Sequence, residues 1–460
     1  MEIPKHVKDI LEALEAAGRE AWCVGGCVRD SLLGRTPEDW DVTTSALPQE
    51  TMAVFGGQAL PTGLKHGTVT VKTPEAAVEV TTYRLDGAYQ DHRHPESVTF
   101  TRSVDEDLGR RDFTVNAMAL NLHGALRDPF GGREDLEAGT LRCVGDPDRR
   151  FQEDALRILR GMRFAAVLGL AEEGETSSAM DRNRALLADI APERIQTELM
   201  KLLCGDSADR ELARHPEIIG VFWPEVLPMV GFDQRNVHHC YDVWRHSLAA
   251  LTHTPPVPVL RCAALLHDAG KPSTFTLDEA GTGHFYGHAK ASVALADAML
   301  RRLKCPNEFR ERTVRLVEWH DRDIPRTDRG LRRALRALGE EDLRLLLALK
   351  RADNLAQAPA YHGRQAEIQK GEEILDRLLE EDACFSLKQL AVNGRDLLAL
   401  GFSGPALGRT LNELLNRVVD GELPNDRAAL LEAAQTEQPR KTTGMWIKCR
   451  GGKERKGRRA

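Results

Sequence analysis

The sequence lacks the features that mark membrane proteins and secreted disulfide-bonded proteins. Its 460 residues contain no apolar run of about 18, the length that crosses a bilayer. Met1 to Lys8 leads into a charged helical pattern rather than a signal peptide. The nine cysteines are odd in number and form no Cys-x-x-Cys pair, which argues against a disulfide framework and against a zinc ribbon. We therefore expect a soluble, cytoplasmic chain of two to four domains.

The sequence also lacks the positive net charge that is typical of nucleic-acid binders. Its formal net charge is −7, but that charge is unevenly distributed. Residues 436–460 contain nine Lys or Arg and two Glu, so this tail carries +7 and the rest of the chain carries −14. The composition predicts a basic, disordered tail that either ends in solvent or contacts phosphates.

The most informative stretch is residues 22–44, WCVGGCVRDSLLGRTPEDWDVTT. It predicts a strand end, a tight glycine turn, the start of a helix and then a second strand with two acids. Gly25 and Gly26 have no side chain, so backbone amides there can approach a phosphate closely. Arg29, on the start of the helix, can add a charged fork to the same anion.

Asp39 and Asp41 lie two apart on the predicted second strand, where residues i and i+2 point to the same face. Two adjacent carboxylates repel each other unless a cation joins them. Mg²⁺ prefers oxygen ligands and usually takes one or two carboxylates together with substrate phosphates. The pattern therefore predicts a magnesium site for a phosphate-bearing substrate, although a glycine turn alone or two acids alone would more often be a plain surface turn.

These residues together resemble the first motif of the polymerase-β-like nucleotidyltransferases, in particular the class II tRNA nucleotidyltransferases and bacterial poly(A) polymerases. The resemblance implies an α+β fold, with a mixed sheet and helices in the catalytic head and all-α domains after it. It also implies that Asp39 and Asp41 hold two Mg²⁺, and that Gly26 and Arg29 hold the triphosphate of the nucleotide.

Residues 110–119, RRDFTVNAMA, combine two arginines with an acid and an amide ahead of an apolar segment. Such groups suit contacts with phosphate and ribose, although alone they could form a surface ion-pair cluster. The run resembles the second motif of the same family, which implies that Arg111 binds phosphates and that Asp112 and Asn116 contact the sugar. The DPFGG sequence at 128–132 resembles the hinge that follows this motif.

Residues 150–164, RFQEDALRILRGMRF, place Asp154, Arg157 and Arg160 at i, i+3 and i+6 of a predicted helix. Asp accepts hydrogen bonds and Arg donates them, so a fixed pair could read the edge of cytosine or adenine. Guanine and uracil reverse that polarity. An isolated pair would more often be a salt bridge on a solvated helix. The run resembles the nucleotide-selecting motif of the family, which implies a nucleotide-binding role for Glu153, Asp154, Arg157, Arg160 and Arg163.

Two further segments resemble parts of the same family. Residues 83–95, YRLDGAYQDHRHP, are too polar for a core and predict a surface loop. They resemble the flexible loop that the family needs to add the terminal A, and their full length argues against an enzyme that adds only CC. Residues 193–201 resemble the last motif of the family, which implies a brace for the nucleotide-selecting helix.

A second set of candidate ligands combines four histidines with two aspartates in the C-terminal half of the chain. The set consists of His246, His267, Asp268, His288, His320 and Asp353. Neutral imidazole with carboxylate suits a first-row divalent metal, although each histidine alone is more often structural. The set resembles the HD phosphohydrolase superfamily, including its two-metal members. The resemblance implies binding of a divalent transition metal or Mg²⁺ and leaves hydrolysis, for example of 2′,3′-cyclic phosphates, open.

The resemblances imply a template-independent nucleotidyltransferase that adds CCA, or the terminal A, to tRNA 3′ ends from CTP and ATP, without a membrane partner. An A-only enzyme and a poly(A) polymerase share these motifs and stay open. A metal-dependent phosphohydrolase with a degenerate RNA-binding N-terminal half, or a non-catalytic tRNA-binding protein, is the alternative of another class. The predicted domains are a head (1–150), a neck (151–215), an HD domain (225–358), a helical tail region that binds tRNA (359–435) and a basic C-terminus (436–460).

Overall fold

The computed structural model describes residues 2–87, 98–381 and 383–436, and it has the predicted α+β class. Its longer strands lie in the first 100 residues, and helices dominate after them. Most of the expected loop at 83–95 and of the basic tail at 436–460 falls outside the described residues. No helix in the described part of the chain is long and apolar enough to cross a membrane.

Alternation of apolar and polar residues builds the sheet, as the segments TVTVK (68–72) and AVEVTT (77–82) illustrate. Val69 and Val71 on one strand and Val78 and Val80 on the next are all buried, while the residues between them are more accessible. The strands are β1 (Ala21–Val24), β2 (Asp41–Thr44), β3 (Ala59–Gly63), β4 (Thr68–Lys72), β5 (Ala77–Thr82), β6 (Arg84–Asp86), β7 (Val98–Phe100), β8 (Ala119–Leu120), β9 (Leu126–Arg127), β10 (Thr140–Leu141), β11 (Ala171–Glu172), β12 (Thr276–Leu277) and β13 (Gly283–His284).

Strand β2 lies at the centre of a seven-stranded sheet with the order β3-β4-β5-β2-β1-β8-β9. It pairs in parallel with β5, which sets Asp41 opposite Glu79, and antiparallel with β1, which sets Asp41 opposite Val24. The expectation that both acids lie on this strand is wrong, because β2 begins only at Asp41. Strand β1 ends where Gly25 turns the chain, so Asp39 has no strand partner and lies in the irregular segment before β2.

The chain divides into two compact units, residues 1–323 with 344–368 and residues 324–343 with 369–460. The helices are α1 (Lys5–Ala16), α2 (Gly26–Leu32), α3 (Pro48–Phe55), α4 (Val104–Gly109), α5 (Gly132–Glu137), α6 (Pro147–Glu153), α7 (Leu156–Leu168), α8 (Gly174–Asn183), α9 (Pro192–Leu203), α10 (Ala208–Arg214), α11 (Pro216–Phe222), α12 (Val243–Thr252), α13 (Pro258–Leu266), α14 (Lys271–Thr274), α15 (His288–Arg302), α16 (Asn307–Trp319), α17 (Asp328–Leu338), α18 (Glu340–Leu355), α19 (Arg364–Glu380), α20 (Gly394–Ala399), α21 (Pro405–Val419) and α22 (Arg427–Thr436).

The second unit has a hydrophobic core of its own between α20, α21 and α22. Leu397, Leu414 and Leu430, one from each helix, are fully buried in it. The apolar face of an amphipathic helix is stabilised when another element shields it from water, and here the three helices shield one another.

The helix expected across residues 151–164 is broken at Asp154, which corrects the predicted stripe. Helix α6 ends at Glu153 and α7 begins at Leu156. Between them the backbone of Asp154 is extended, with φ −138° and ψ 102°, and its Oδ1 accepts the Leu156 N–H at 3.1 Å. An Asp side chain that bonds the backbone two residues on favours a helix start over a helix interior. Asp154 therefore does not share a helical face with Arg157.

A buried cluster of acids and an imidazole joins β11, α8 and α10. Glu172 Oε2 lies 2.7 Å from His215 Nε2, and Asp181 Oδ1 lies 2.9 Å from the other ring nitrogen. Arg210 donates to Glu211 Oε1 at 2.8 Å. Burial, and then repulsion by Glu172, raises the pKa of Glu211 to about 7. Burial would also raise the pKa of Glu172, but His215 outweighs it and lowers that pKa to about 2.

The substitution Glu211→Gln should stabilise the protein increasingly as the pH rises from 5 to 8. The folded-state pKa of Glu211 lies above the ordinary value of 4.5, so the native state binds a proton more tightly than the unfolded state. Stability is therefore lost as the pH rises from the unfolded to the folded pKa. An amide keeps the hydrogen bonds of the neutral carboxyl group without this loss.

Urea denaturation at pH 5, 6.5 and 8 measures the effect as a difference in free energy of unfolding. We expect a gain on the order of 1–3 kcal/mol at pH 8 and little gain at pH 5. Glu217→Gln, at an exposed position on α11, is the matched control. A gain that is the same at all three pH values would contradict the assignment.

Candidate functional site

The turn after β1 positions the first candidate residues. Gly25 has φ 79° and ψ −130°, a conformation that is nearly restricted to glycine. A Cβ atom at this position would lie 3.0 Å from Arg111 Nη1, so glycine also lets that guanidinium group approach the backbone. Gly26 begins α2, and Arg29 follows within its first turn. The predicted phosphate-binding turn and Arg111 therefore lie together.

A chain of buried polar contacts ties α2 to the second motif and to α7. Arg29 Nη1 donates to Asn116 Oδ1 at 2.6 Å, and Asn116 Nδ2 donates to Asp112 Oδ1 at 3.2 Å. Arg160 Nε donates to Asp112 Oδ2 at 2.8 Å. Burial would raise the pKa of Asp112, but Arg160 and Arg157 outweigh it and hold that pKa well below its usual range. The buried carboxylate thus compensates the arginines around it.

Phe164 is a member of the site that the sequence did not single out. The guanidinium carbons of Arg29, Arg160 and Arg163 lie 5.2, 5.3 and 4.0 Å from the centre of its ring. Arg163 also pairs with Glu198 of α9 at 2.6 Å. Attraction to the aromatic face lets three like charges share one small volume. In the sequence, the indication for Phe164 was its position directly after Arg163, the third arginine of the nucleotide-selecting motif.

Three carboxylates meet at the start of β2. Asp39 and Asp41 are both exposed, and Glu79 lies opposite Asp41 on the parallel strand β5. Partial loss of solvent raises the pKa of Asp41, and Glu79 and Asp39 raise it further, whereas Arg111 acts in the opposite direction. Accessible carboxylate oxygens that repel one another fit a hard cation such as Mg²⁺. Glu79 was missed, and its only sequence signal was an acid within an alternating strand.

A cavity of about 600 Å³ lies between the second motif, α7 and α9. It brings together five of the predicted nucleotide-binding residues, Arg111, Asp112, Asp154, Arg157 and Arg160. The polar side chains converge although they come from segments that are far apart in the sequence. The cavity is therefore the candidate nucleotide site.

Arg157 is held in the cavity wall by three acceptors. Its Nη1 atom donates to Glu153 Oε2 at 2.9 Å and to the Arg150 carbonyl at 3.1 Å. Its Nη2 atom donates to the Arg110 carbonyl at 3.0 Å. Because two acceptors are backbone atoms, the guanidinium plane is fixed by the fold and presents its donors in one geometry.

The second set of predicted ligands converges on one buried centre. His246, His267 and Asp268 offer donor atoms within 4.8 Å of one another, and so do Asp268, His288 and His320. Asp268 Oδ2 lies 3.4 and 3.2 Å from the first two histidines, and its Oδ1 lies 3.5 and 3.8 Å from the other two. The geometry is that of two adjoining subsites that share one carboxylate.

All four histidines of this centre are oriented by the backbone. Each Nδ1 lies 2.6–3.2 Å from a carbonyl oxygen, to which it donates. In the neutral imidazole the lone pair is then on Nε2, and each Nε2 lies 3.2–3.8 Å from an oxygen of Asp268. The Nε2 atoms of His288 and His320 lie 3.2 Å apart, so two lone pairs face each other. A cation between them removes that repulsion, and a carbonyl behind each imidazole is the usual arrangement of metal-binding histidines.

Acids and a lysine complete the centre. Asp353 Oδ1 lies 3.0 Å from His246 Nε2. Burial would raise the pKa of Asp268, but His267 and Lys271 outweigh it and keep that pKa well below its usual range. Burial would lower the pKa of His267, but Asp268 and Asp353 outweigh it and raise that pKa to about 10. Lys271 compensates part of the charge of the two carboxylates, and a proton on His267 or a metal ion compensates the rest.

His239 also packs against this centre. Its ring centroid lies 5.1 Å from that of His246. Burial, and then the charge of Lys271, lowers the pKa of His239 to about 3. Lys271 Nζ itself lies 2.7 Å from Asp268 Oδ2. His239 is thus a neutral neighbour of the ligands, and no motif in the sequence indicated it.

The substitution Gly25→Ala should cost more stability than Gly34→Ala. Both glycines have positive φ, 79° and 70°, so each variant carries the backbone strain of about 1–3 kcal/mol. Only the Cβ atom at Gly25 would also meet Arg111, because nothing lies within 4 Å of a Cβ atom at Gly34. Free energies of unfolding from urea denaturation compare the two variants. Equal losses would contradict both the additional backbone strain at Gly25 and its contact with Arg111.

Three family models match the chain. A Poly A polymerase head domain matches residues 21–142, an RNA- and SrmB-binding site of polymerase A matches residues 169–229, and a tRNA nucleotidyltransferase domain 2 matches residues 284–434. The first match covers the glycine turn, the carboxylates and the second motif.

Proteins named CCA-adding enzyme are similar over nearly the whole chain. That of Lactiplantibacillus plantarum is 34% identical over 93% of this chain and 95% of its own, and that of Geobacillus stearothermophilus is 34% identical over 93% and 97%. The Bacillus stearothermophilus CCA-adding enzyme in complex with CTP is 31% identical, with a TM-score of 0.72 over 95% of this chain and 98% of its own. A Thermotoga maritima CCA-adding enzyme complexed with tRNA shares the fold, with a TM-score of 0.54, 19% identity and coverage of 94% and 96%. The chain therefore belongs to the CCA-adding enzyme family, within the class II tRNA nucleotidyltransferases and poly(A) polymerases.

Proposed function

We propose that the protein adds CCA, or the terminal A, to tRNA 3′ ends from CTP and ATP. The observation that carries the proposal is the cavity in which Arg111 lies together with Asp154 and Arg157, a phosphate-binding side chain beside an acceptor–donor pair. A structural relative that is 31% identical binds CTP, and another with the same fold binds tRNA. We assign catalysis to residues 1–150 and base selection to residues 151–215.

The reaction joins the 3′-hydroxyl oxygen of the tRNA to the α-phosphorus of the nucleotide. The bond from that phosphorus to the bridging oxygen breaks, and pyrophosphate leaves. Asp39 and Asp41, with Glu79 beside them, would hold two Mg²⁺, which supply acidification of the attacking hydroxyl group and charge compensation for the leaving group. The backbone at Gly26 with Arg29, and Arg111 from the second motif beside that turn, would hold the triphosphate, the two arginines with fixed positive charge.

Base selection falls to Asp154 and Arg157. A carboxylate only accepts hydrogen bonds and a guanidinium group only donates them. The pair therefore matches the amino group and ring acceptor that cytosine and adenine share. Asp112 and Asn116, which are bonded to each other and to arginines, would form the wall against the sugar, with Arg160 and Arg163 behind it.

The double variant Asp39→Ala/Asp41→Ala should lose nucleotide addition by at least about 10³-fold, because the carboxylates for the metal are gone. Incorporation of labelled CTP and ATP into tRNA lacking CCA measures the loss. Glu38→Ala, an exposed acid in the same segment, is the control and should retain activity. If addition survived in the double variant, the metal assignment would be wrong, and the reading as a phosphohydrolase with a degenerate N-terminal half would gain support.

The same assay with three tRNA substrates separates the members of the class. Substrates that lack CCA, end in C or end in CC are each incubated with CTP, ATP or both. A full CCA-adding enzyme extends all three and stops after A. Extension of CC ends alone would establish an A-only enzyme, and an unlimited A tail would establish a poly(A) polymerase.

A second function is favoured by the buried centre around Asp268. We propose an HD-type metal site held by His246, His267, Asp268, His288, His320 and Asp353. The Nε2 atoms of His288 and His320, 3.2 Å apart, support one cation between them, and the second ligand group, His246 and His267, supports another that shares Asp268. A divalent transition metal or Mg²⁺ in this position supplies Lewis-acid chemistry toward a phosphate ester. Lys271 adds a fixed positive charge beside the centre.

The double variant His267→Ala/Asp268→Ala should lose bound divalent metal and retain nucleotide addition. Removing the shared carboxylate leaves neither subsite complete. Metal content after dialysis, measured by mass spectrometry, and tRNA extension are read on the same preparation. His284→Ala, a histidine paired with Asp278 outside the centre, should keep its metal. Equal metal content in the wild-type protein and the double variant would contradict the site.

A further inference from the structure

We infer that Asp107 is a positioning residue for the triphosphate, which holds Arg111 beside the glycine turn and keeps it from pairing with the metal-binding carboxylate of Asp41. This role rests on the proposed roles of Arg111 and Asp41 in nucleotide addition. It explains what keeps an arginine and a carboxylate apart before a nucleotide and a metal ion are bound, and it adds a residue of α4 to the site.

Arg111 lies among several carboxylates, two of which have other proposed tasks. Burial lowers the pKa of Arg111, and nearby carboxylates act in the opposite direction. Asp107 has the largest of these effects, followed by Asp41 and Asp112. Asp112 already accepts from Arg160 at 2.8 Å. Because attraction between charges falls with distance, loss of the Asp107 charge would draw Arg111 toward Asp41.

The carboxylate of Asp107 is itself fixed by donors from three segments of the chain. It is fully buried. Its Oδ2 atom accepts from Thr43 Oγ1 of β2 at 3.1 Å, and its Oδ1 atom accepts from the N–H group of Arg84, the first residue of β6, at 3.3 Å. Arg110, the residue after α4, donates its Nε–H group to Oδ1 at 2.9 Å. The negative charge of Asp107 therefore has one place in the fold.

The two arginines that Asp107 attracts are held differently. Arg110 makes a close contact, with its Nε and Nη2 atoms both 2.9 Å from Oδ1. Arg111 Nη2 lies 3.8 Å from Oδ2, which is an ion pair but is too long for a hydrogen bond. Arg111 Nη1 lies at the turn, 3.0 Å from the place that a Cβ atom at Gly25 would take. Asp107 therefore orients the charge of Arg111 without a hydrogen bond that a phosphate would have to displace.

Thr43 sets the position of this charge relative to the candidate metal site. Asp41 and Thr43 are two apart on β2, so their side chains point to the same face of the sheet. The bond from Thr43 places the Asp107 carboxylate beside that face, where it competes with Asp41 for Arg111. An arginine paired with Asp41 would occupy an oxygen atom that Mg²⁺ needs. Asp107 therefore keeps Arg111 available to the triphosphate and Asp41 available to the metal ion.

The test measures two properties of the full-length protein, its affinity for CTP and its Mg²⁺ requirement. Asp107→Asn, which keeps the shape and removes the charge, should weaken CTP binding by about 10-fold and leave the binding of cytidine unchanged. It should also raise the Mg²⁺ concentration that gives half-maximal incorporation of CTP into tRNA, because Arg111 then competes for Asp41. Asp105→Asn, at another acid of α4 that pairs with Arg127, is the matched control and should change neither property.

The variant Arg111→Ala separates this role from the proposed function. It should also weaken CTP binding, but it should not raise the Mg²⁺ requirement, because the competing cation is gone. Unchanged CTP binding in Arg111→Ala would overturn the proposed role of Arg111, and the role of Asp107 with it. Weaker CTP binding in Arg111→Ala, together with unchanged or tighter CTP binding or an unchanged Mg²⁺ requirement in Asp107→Asn, would overturn the role of Asp107 alone. Asp107 would then only neutralise the arginines beside it.

Urea denaturation shows whether Asp107→Asn folds. If it does not, Thr43→Val takes its place, since this variant keeps the charge of Asp107 and removes the hydrogen bond to its Oδ2 atom. Both shifts are then expected in the same direction and smaller, and their absence would overturn the role of Asp107. If Asp107 acts through Arg111, the double variant Asp107→Asn/Arg111→Ala binds CTP no more weakly than Arg111→Ala. A further loss in the double variant would contradict that route.

Discussion

The candidate nucleotide cavity depends on one buried carboxylate, that of Asp112. A site for a triphosphate must hold several arginines close together even when no anion is present. Asp112 accepts from Arg160 and from Asn116, and Asn116 in turn accepts from Arg29. Hydrogen bonds thus connect this one carboxylate to α2, to the second motif and to α7. Without it Arg160 would lose its closest anionic partner, and breaking one side of a buried ion pair costs several kcal/mol. Asp112 therefore stabilises the arrangement of the arginines around it.

At the two candidate metal sites, carboxylates and imidazole nitrogens are concentrated instead of guanidinium groups. At the start of β2, Glu79 and Asp39 repel the carboxylate of Asp41, and Arg111 acts in the opposite direction. Around Asp268, imidazole lone pairs and carboxylates converge from helices that are far apart in the sequence. A bound cation would relieve the repulsion in both places. This is the physical reason for proposing cations there and a nucleotide in the arginine-lined cavity.

Turns, helix starts and strands could be predicted from the sequence, whereas the pairing of segments that are far apart in the sequence could not. The glycine turn, the start of α2 and the valine-alternating strands follow from residue types within a few positions. Glu79 could not be found, because only the parallel pairing of β2 with β5 sets it beside Asp41. The helix break at Asp154 was missed because a side-chain bond to the Leu156 N–H outweighs the helical periodicity around it. The histidine set was found by resemblance, but the sharing of Asp268 required coordinates.

The helix break at Asp154 determines how the two proposed base-selecting side chains, Asp154 and Arg157, are placed. On an uninterrupted helix this carboxylate would lie on the same face as Arg157, and the two would bond to each other. The extended backbone at Asp154 separates them, so Arg157 turns to Glu153 and to backbone carbonyls. An acceptor and a donor then line the cavity apart rather than as a closed pair. Side chains that are hydrogen-bonded to each other are not available to bond a base. The break in the helix at Asp154 keeps Asp154 and Arg157 from bonding to each other.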